Sequence, residues 1–211
     1  LYSDPAQKAI KAMEQGKSSV VITLDLNRSD QVVKISGNRL QVEAGITLTR
    51  DQLDIIAQTK GKVFWLKDSG PRPLEVRQGR YCKLVPTRTA PILEIDGIKM
   101  HRSKDIDPLE DARLKAELTI KGKDLVLDTC GGLGYSALGA LKAGAEKVVS
   151  AEKNPGVILI RNLNPWLTDN PLSQKIHLVN KDVFRYIQEL DDGSIDVILH
   201  DPPRFSSATG D

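Results

Sequence analysis

The sequence predicts an α/β protein in which a doubly wound, mostly parallel sheet follows a small α+β domain. Beyond about residue 104, apolar strand patterns alternate with helix patterns, which is typical of a parallel sheet wrapped by helices. Before that point, short β-branched segments are separated by Gly-containing turns, which is typical of antiparallel hairpins. We therefore expect an α+β domain over residues 1–104 and the parallel domain over residues 105–211.

The composition excludes several classes of protein. Of the 211 residues, 40% are hydrophobic and 27% are charged, which is ordinary for a globular chain. No apolar run approaches the roughly 20 residues that span a bilayer, and Cys82 and Cys130 lack zinc-ligand spacing. We expect a cytoplasmic protein with no membrane or metal partner. Residues 1–110 carry 18 Lys and Arg against 14 Asp and Glu, which fits an anionic partner or a chance imbalance on a solvated surface.

The front half contains hairpin and helix signals. "SVVITLDL" (19–26) is typical of a strand, and Gly37-Asn38 suits a two-residue turn with positive φ at its first position. Asp96-Gly97 is a second hairpin signal. Between them, Thr49 is a suitable helix N-cap and Gly61 a suitable helix stop.

The back half alternates strands and helices. Asp107 and Asn154 are each followed by Pro, which is the pattern of an N-cap with proline at the first helical position. "DVFRYIQEL" (182–190) is typical of a further helix. The strand segments are 124–128, 147–152, 175–180 and 194–201.

A glycine motif follows the first of these strands. Gly132-x-Gly134-x-x-Ala137 matches a dinucleotide-binding fingerprint, and Glu152 lies twenty residues beyond Gly132 at the end of the next strand. Glycines let the backbone approach a ligand, and a carboxylate at that place accepts hydrogen bonds from ribose hydroxyls. The motif predicts a ligand that contains a nucleoside. A glycine turn needed only for packing would leave Glu152 unexplained.

Two further acids narrow the choice of nucleoside. Asp128 lies just before the glycine turn, where it would repel a pyrophosphate and attract a cationic amino-acid group. Asp182 follows the third strand, where it could bind an exocyclic adenine amine. An ammonium, a ribose and an adenine occur together in S-adenosylmethionine, which is therefore the predicted cofactor.

The sequence here resembles the class I S-adenosylmethionine-dependent methyltransferases, which are Rossmann-like. "VLDTCGGLG", "SAEKN", "KDVF" and "DPPRF" resemble their first four motifs in order. More closely, "DPLEDARLKAE", "RNLNPW" and "HDPPRFS" resemble a group of predicted archaeal methyltransferases without assigned substrates. One departure is Cys130, which replaces the usual first glycine. The residues that the resemblance implies for cofactor binding are Asp128, Cys130, Gly132, Gly134, Glu152, Lys153, Asp182, Val183 and Asp201.

The fourth motif implies the catalytic loop. In the resembling enzymes, an Asp/Asn-Pro-Pro-aromatic loop lies beside the methyl group, so Asp201, Pro202 and Pro203 are the expected catalytic residues. The two prolines fix φ and stiffen the loop, which suits a reaction that depends on alignment. Arg204 and Phe205 are the expected substrate contacts, and their order is more like the Asp-Pro-Pro-x-Phe loop of certain ribosomal RNA methyltransferases.

The sequence thus predicts a methyltransferase that acts on an rRNA or tRNA base. The basic front domain would bind the RNA, and residues 65–83 interleave Arg and Lys with Trp65 and Tyr81. An ordinary solvated hairpin would have the same composition.

Other functions remain open. A spermidine-synthase-like polyamine aminopropyltransferase would use decarboxylated S-adenosylmethionine, although Arg204 places a cation where that reaction favours acids. A methyltransferase of a small molecule or protein, a nicotinamide-dependent oxidoreductase and a non-catalytic RNA-binding protein are further alternatives. Because "SIDVILHD" is too apolar for an exposed edge strand, we also expect C-terminal strands to be missing from this sequence and to follow "SSATGD".

Overall fold

A computed structural model of the chain describes residues 1–42 and 45–202. It divides into two compact units. The first comprises Leu1–Glu75 and Lys83–Pro91, and the second comprises Val76–Cys82 and Ile92–Asp211.

The first unit combines two helices with antiparallel strands. Its elements are α1 (Ser3–Glu14), β1 (Ser19–Ile22), β2 (Gln31–Ser36), β3 (Arg39–Gln41), β4 (Thr47–Thr49), α2 (Arg50–Gln58), β5 (Phe64–Lys67) and β6 (Gly70–Pro73). Strands β1 to β4 pair in sequence order, and β5 pairs with β6. Buried apolar side chains of both helices and of this sheet, among them Leu40, Leu48, Leu53 and Ile56, share one core.

Local chemistry explains the turns and caps of this unit. Thr49 caps α2 in a reciprocal capping box with Gln52, as the sequence predicts. Gly37 has a φ of 56° between β2 and β3, which confirms the predicted turn. Helix α2 ends at Gln58, before Gly61, where φ is 71°. Thr59 is the C-cap instead of Gly61.

The next four strands form another four-stranded sheet, in which β9 and β10 pair antiparallel. They are β7 (Glu75–Gln78), β8 (Arg80–Val85), β9 (Ile92–Ile95) and β10 (Ile98–Lys99), and their order is β10-β9-β8-β7. The β9–β10 turn has positive φ at both Asp96 and Gly97, as a tight hairpin requires. Strands β9 and β10 belong to the second compact unit, whereas the sequence assigned them to the front domain. The predicted boundary at residue 104 stays a prediction.

The second unit continues with alternating helices and strands. Its elements are α3 (Pro108–Glu117), β11 (Leu125–Asp128), α4 (Tyr135–Lys142), β12 (Lys147–Ala151), α5 (Pro155–Arg161), α6 (Pro165–Thr168), a 3₁₀ helix (Pro171–Lys175), β13 (Ile176–Val179), α7 (Val183–Tyr186), a second 3₁₀ helix (Ile187–Glu189) and β14 (Val197–Leu199). Within the described residues, β13-β12-β11-β14 form a parallel sheet. The predicted α/β class with a Rossmann-like domain is confirmed.

Helices α3 and α4 pack very closely. A Cβ atom on Gly139 would lie 2.7 Å from the carbonyl oxygen of Ala112, so only glycine allows this approach. Buried Ala116, Ala137 and Ala140 share the core beside α4 and the sheet. Asp107 and Asn154 cap α3 and α5, each followed by Pro, as predicted. The close packing of α3 against α4 fixes α3 beside the parallel sheet.

The edge of the parallel sheet is exposed in the described part of the chain. Strand β14 is its edge strand there, and Ile198 is 51% exposed. The predicted additional strands lie outside the described residues and stay a prediction. In residues 1–42 and 45–202, no helix combines the length and apolar character required to cross a bilayer.

Candidate functional site

Four acidic residues lie at the carboxyl ends of the four parallel strands. Asp128 ends β11, and Glu152 directly follows β12. Asp182 lies three residues after β13, and Asp201 two residues after β14. Because the strands are parallel, their carboxyl ends share one edge of the sheet, which is where α/β proteins bind ligands. The structure thus brings these four predicted site residues to one edge.

The glycine turn between β11 and α4 is tightly constrained. Gly131 donates its N–H to the Ala151 carbonyl at 2.8 Å, and Gly134 donates to the Gly131 carbonyl at 2.7 Å. Gly132 and Gly134 have φ values of 45° and 83°, in the region that favours glycine. A Cβ on Gly132 would meet only the Cys130 carbonyl, at 3.8 Å. The backbone at Gly132 is therefore open to close approach.

Glu152 holds the same turn through its carboxylate. Its Oε2 accepts from the Gly132 N–H at 2.9 Å, and its Oε1 accepts from the Asn154 N–H at 2.8 Å. The Asn180 side chain donates to the carbonyls of Glu152 and Lys153 at 2.8 and 3.2 Å. The twenty-residue spacing seen in the sequence thus corresponds to a direct hydrogen bond between the glycine turn and the acid.

Asp128 lies below this turn in a buried network. Its carboxylate is 1% exposed and accepts from Ser150 Oγ at 2.9 Å. The two residues are adjacent in the β11–β12 register. Ser150 Oγ in turn accepts from Arg161 Nη1 at 2.9 Å. Burial raises the pKa of Asp128 to about 6, against the lowering effects of Ser150 and Arg161.

Arg161 was not identified from the sequence. It is 2% exposed, and its Nη1 also donates to the Gly131 carbonyl at 3.2 Å. Cβ atoms on Gly131 or Gly134 would come within about 3.1 Å of its guanidinium, so the side chain fills the space below the turn. The signal was its helical spacing: Arg161 lies four residues after Val157, on the buried face of α5.

Lys153, Val183 and Cys130 are other described residues with a predicted role in cofactor binding. Lys153 Nζ is 4.0 Å from Asp182 Oδ2, and Asp182 caps α7 by accepting from the Phe184 N–H. Val183 is the first residue of α7. Burial raises the pKa of the half-buried Cys130 thiol, and the nearby Asp128 charge adds to this effect. The thiol form is favoured, and the cofactor-binding roles of these residues stay predictions.

Asp201 makes a contact that the sequence did not indicate. Lys115 Nζ of α3 donates to Asp201 Oδ2 at 2.6 Å and also lies 2.9 Å from Asp111 Oδ2. Asp201 and Pro202 are exposed. The predicted residues Pro203, Arg204 and Phe205 lie outside the described residues.

His101 is a further titratable group whose pKa responds to the charges of Asp201, Lys115 and Asp111. Its Nδ1 accepts from the Leu93 N–H at 3.2 Å, and its ring lies 5.2 Å from that of Tyr135. Burial lowers the pKa of His101 to about 4, despite the opposing charge of Asp201. His101 is therefore neutral at pH 7. In the described part of the chain, no group of three or more His, Cys, Asp or Glu is arranged to hold a metal ion.

One comparison with known proteins covers almost the whole chain. Uncharacterized protein MJ1233 of Methanocaldococcus jannaschii is 35% identical over 204 residues, which are 95% of this chain and 70% of that protein. The chain belongs to the MJ1233 family. No protein-family model matches this member of the MJ1233 family.

This MJ1233-family chain is also similar to other proteins, over smaller parts of its length. Ribosomal RNA large subunit methyltransferase I of Vibrio campbellii is 29% identical over 127 residues, 56% of this chain. The chain spans only 32% of the length of that enzyme. Spermidine synthase from Thermotoga maritima is a structural neighbour with 16% identity and a TM-score of 0.49. That match covers 70% of this chain and 54% of the synthase.

Proposed function

We propose that this MJ1233-family chain is an S-adenosylmethionine-dependent methyltransferase that acts on RNA. The observation that carries the proposal is the open glycine turn bonded to Glu152 at the carboxyl edge of a parallel sheet. The sequence similarity to a ribosomal RNA methyltransferase supports both the reaction class and the acceptor. We also propose a cytoplasmic location.

The residues present fit this cofactor. A side chain on Gly132 would project into open space, so its absence leaves room for a ligand against the backbone. Glu152 offers carboxylate oxygens for ribose hydroxyls, and Asp182 lies at the neighbouring strand end. When bound, S-adenosylmethionine supplies an electrophilic methyl group on a sulfonium.

The chain itself would position the cofactor and the acceptor. Asp128 is buried next to the turn and hydrogen-bonded to Ser150, so it would support the turn and place a negative charge near the bound cofactor. Asp201 and Pro202 follow β14 at the same edge, where a stiff loop would align the acceptor atom. The proposed catalytic group includes Pro203, and the proposed acceptor contacts are Arg204 and Phe205.

Replacing Glu152 by glutamine is expected to weaken S-adenosylmethionine binding by about 10-fold or more, because hydrogen bonds to a charged acceptor contribute roughly 1.5–3 kcal/mol. Isothermal titration calorimetry with S-adenosylmethionine measures the change. The matched control is Glu146→Gln, an exposed acid just before β12, which should bind with wild-type affinity. Wild-type protein that shows no binding at millimolar cofactor would overturn the proposed function. Unchanged affinity in Glu152→Gln would overturn the role of Glu152.

A surface of the first unit supports RNA as the acceptor. Trp65 on β5 is 43% exposed, and Lys67 Nζ lies 3.7 Å from the centroid of its ring. Arg72 pairs with Trp65 across the β5–β6 hairpin and is exposed. The neighbouring Phe64 points into the core, so the Trp65 face is the outward one. An exposed indole flanked by two cations suits base stacking combined with phosphate contact.

Trp65 fluorescence is expected to respond to single-stranded RNA. In a Trp166→Phe variant, Trp65 is the remaining tryptophan of the two, so a 12-nucleotide oligoadenylate should quench its emission. Trp65→Ala should weaken oligoadenylate binding about 5- to 150-fold, because one stacked base contributes roughly 1–3 kcal/mol. Val32→Ala changes another exposed apolar residue of the same unit and should have no effect. Quenching by heparin equal to that by RNA would argue against base stacking.

A further inference from the structure

A lysine of the chain itself, Lys115, forms an ion pair with the Asp201 carboxylate that follows β14. Lys115 Nζ lies 2.6 Å from Asp201 Oδ2 and 2.9 Å from Asp111 Oδ2. Lys115 and Asp201 are 86 residues apart in the sequence, so the fold brings them together. Because Lys115 is on α3, its position is fixed by the close packing of α3 against α4.

The charges around Lys115 keep it protonated. Partial burial lowers the pKa of Lys115. The hydrogen bonds and charges of Asp201 and Asp111 together raise this pKa by more, so the net effect is a raised pKa. Asp111 is only 12% exposed and also lies 3.8 Å from Arg102 Nη1. The Lys115 ammonium therefore lies between the carboxylates of Asp201 and Asp111, and the Arg102 guanidinium lies near that of Asp111.

An ammonium held between two carboxylates is the arrangement that a protonated amine ligand would itself require. We infer that Lys115 is a specificity-determining residue, which fills this cation position and makes the acceptor side of the site reject protonated amines. The inference rests on the proposed function, in which Asp201 lies beside the acceptor. A polyamine would have to displace Lys115 from Asp201 and approach a like charge.

A nucleic acid base meets no such barrier. Its exocyclic amines and ring atoms are neutral at pH 7, so they need no unpaired carboxylate. The arrangement therefore favours RNA as the acceptor over the polyamine of an aminopropyltransferase.

Spermidine binding to charge variants tests this inference. Lys115→Met frees Asp201 and Asp111, and we expect it to bind spermidine up to about fivefold more tightly than wild type at low salt, which is the effect of one partly exposed ion pair. Lys115→Arg keeps the charge and should resemble wild type. Lys123→Met removes an exposed lysine before β11 and is the matched control. Adding Asp201→Asn to Lys115→Met should abolish the gain.

The measurements distinguish a failure of this inference from a failure of the proposed function. Calorimetry gives the spermidine affinity, and S-adenosylmethionine affinity is measured on the same preparations. Normal cofactor binding without a spermidine gain in Lys115→Met, or an equal gain in Lys123→Met, overturns the role of Lys115 alone. Absent cofactor binding in wild type overturns the proposed function whatever spermidine does. If Lys115→Met does not fold, Lys115→Gln tests the same expectation.

Discussion

Replacing Arg161 by methionine is expected to destabilise the protein by about 3 kcal/mol at pH 8, because Ser150 bridges two buried charges, Arg161 and Asp128, and removing one leaves the other uncompensated. Methionine fills much of the same space but donates no hydrogen bond to Ser150 Oγ or to the Gly131 carbonyl, which Arg161 contacts. The Asp128 carboxylate, 1% exposed, then lacks its nearby cation. Urea unfolding measures the loss.

The size of this loss should depend on pH. Burial raises the pKa of Asp128 to about 6, and the Arg161 charge opposes that rise. A carboxyl group with a raised pKa in the folded state is most favourable at low pH, and its contribution to stability is lost as pH rises through that pKa. In Arg161→Met the pKa of Asp128 rises further, so the destabilisation should be smaller at pH 5 than at pH 8. A purely steric defect would be the same at both values.

Two variants serve as controls for Arg161→Met. The double variant Asp128→Asn/Arg161→Met removes both charges and should be more stable at pH 8 than Arg161→Met alone. Arg185→Met removes an exposed arginine of α7 and should change stability by less than about 0.5 kcal/mol. A loss that does not depend on pH, together with no recovery in the double variant, would show that Arg161 does not compensate the charge of Asp128.

Local chemistry made much of the fold predictable. The N-caps of α2, α3 and α5 use side chains within three residues of the backbone they bind, so sequence alone identifies them. Helix α1 was missed because its N-cap residue, Tyr2, makes no side-chain capping hydrogen bond, so the usual start signal is absent even though buried Ala6, Ala9 and Ala12 recur at helical spacing. Strand β1 ends at Ile22 rather than Leu26, because Asp25 accepts from the N–H groups of Arg28 and Ser29 and forms a turn.

The candidate site was predictable only in part, because some of its contacts depend on tertiary packing rather than on residues close in sequence. Acids at strand ends follow from strand order, and parallel pairing places them at one edge. The contacts of Arg161 and Lys115 depend on how α5 and α3 pack, which no short sequence window records. A cation on an apolar helix face, as at Arg161, indicates a buried partner but does not identify Ser150 and the Gly131 carbonyl as its partners.

Substituting alanine for Gly131 is expected to destabilise the protein by roughly 1–3 kcal/mol, the range for overpacking a tight interior. The new Cβ would lie 2.7 Å from Ser150 Oγ, 2.9 Å from Arg161 Nη1 and 3.1 Å from the Ala151 carbonyl oxygen. The Ala151 contact is the most restrictive, because this backbone carbonyl accepts the hydrogen bond from Gly131 itself. Thermal unfolding measures the loss, and S-adenosylmethionine titration should show weaker binding.

Gly122→Ala is the matched control in the same unit. No heavy atom lies within 4 Å of its added Cβ, so the change should be neutral or stabilise by about 0.4–1 kcal/mol through the unfolded chain. A Gly131→Ala protein as stable as wild type would show that Ser150 and Arg161 can move apart without loss. The glycine turn would then not depend on the buried network beneath it. Cofactor affinity that survives in such a protein would place the constraint on Gly132 and Gly134 instead, whose positive φ values an added side chain strains directly.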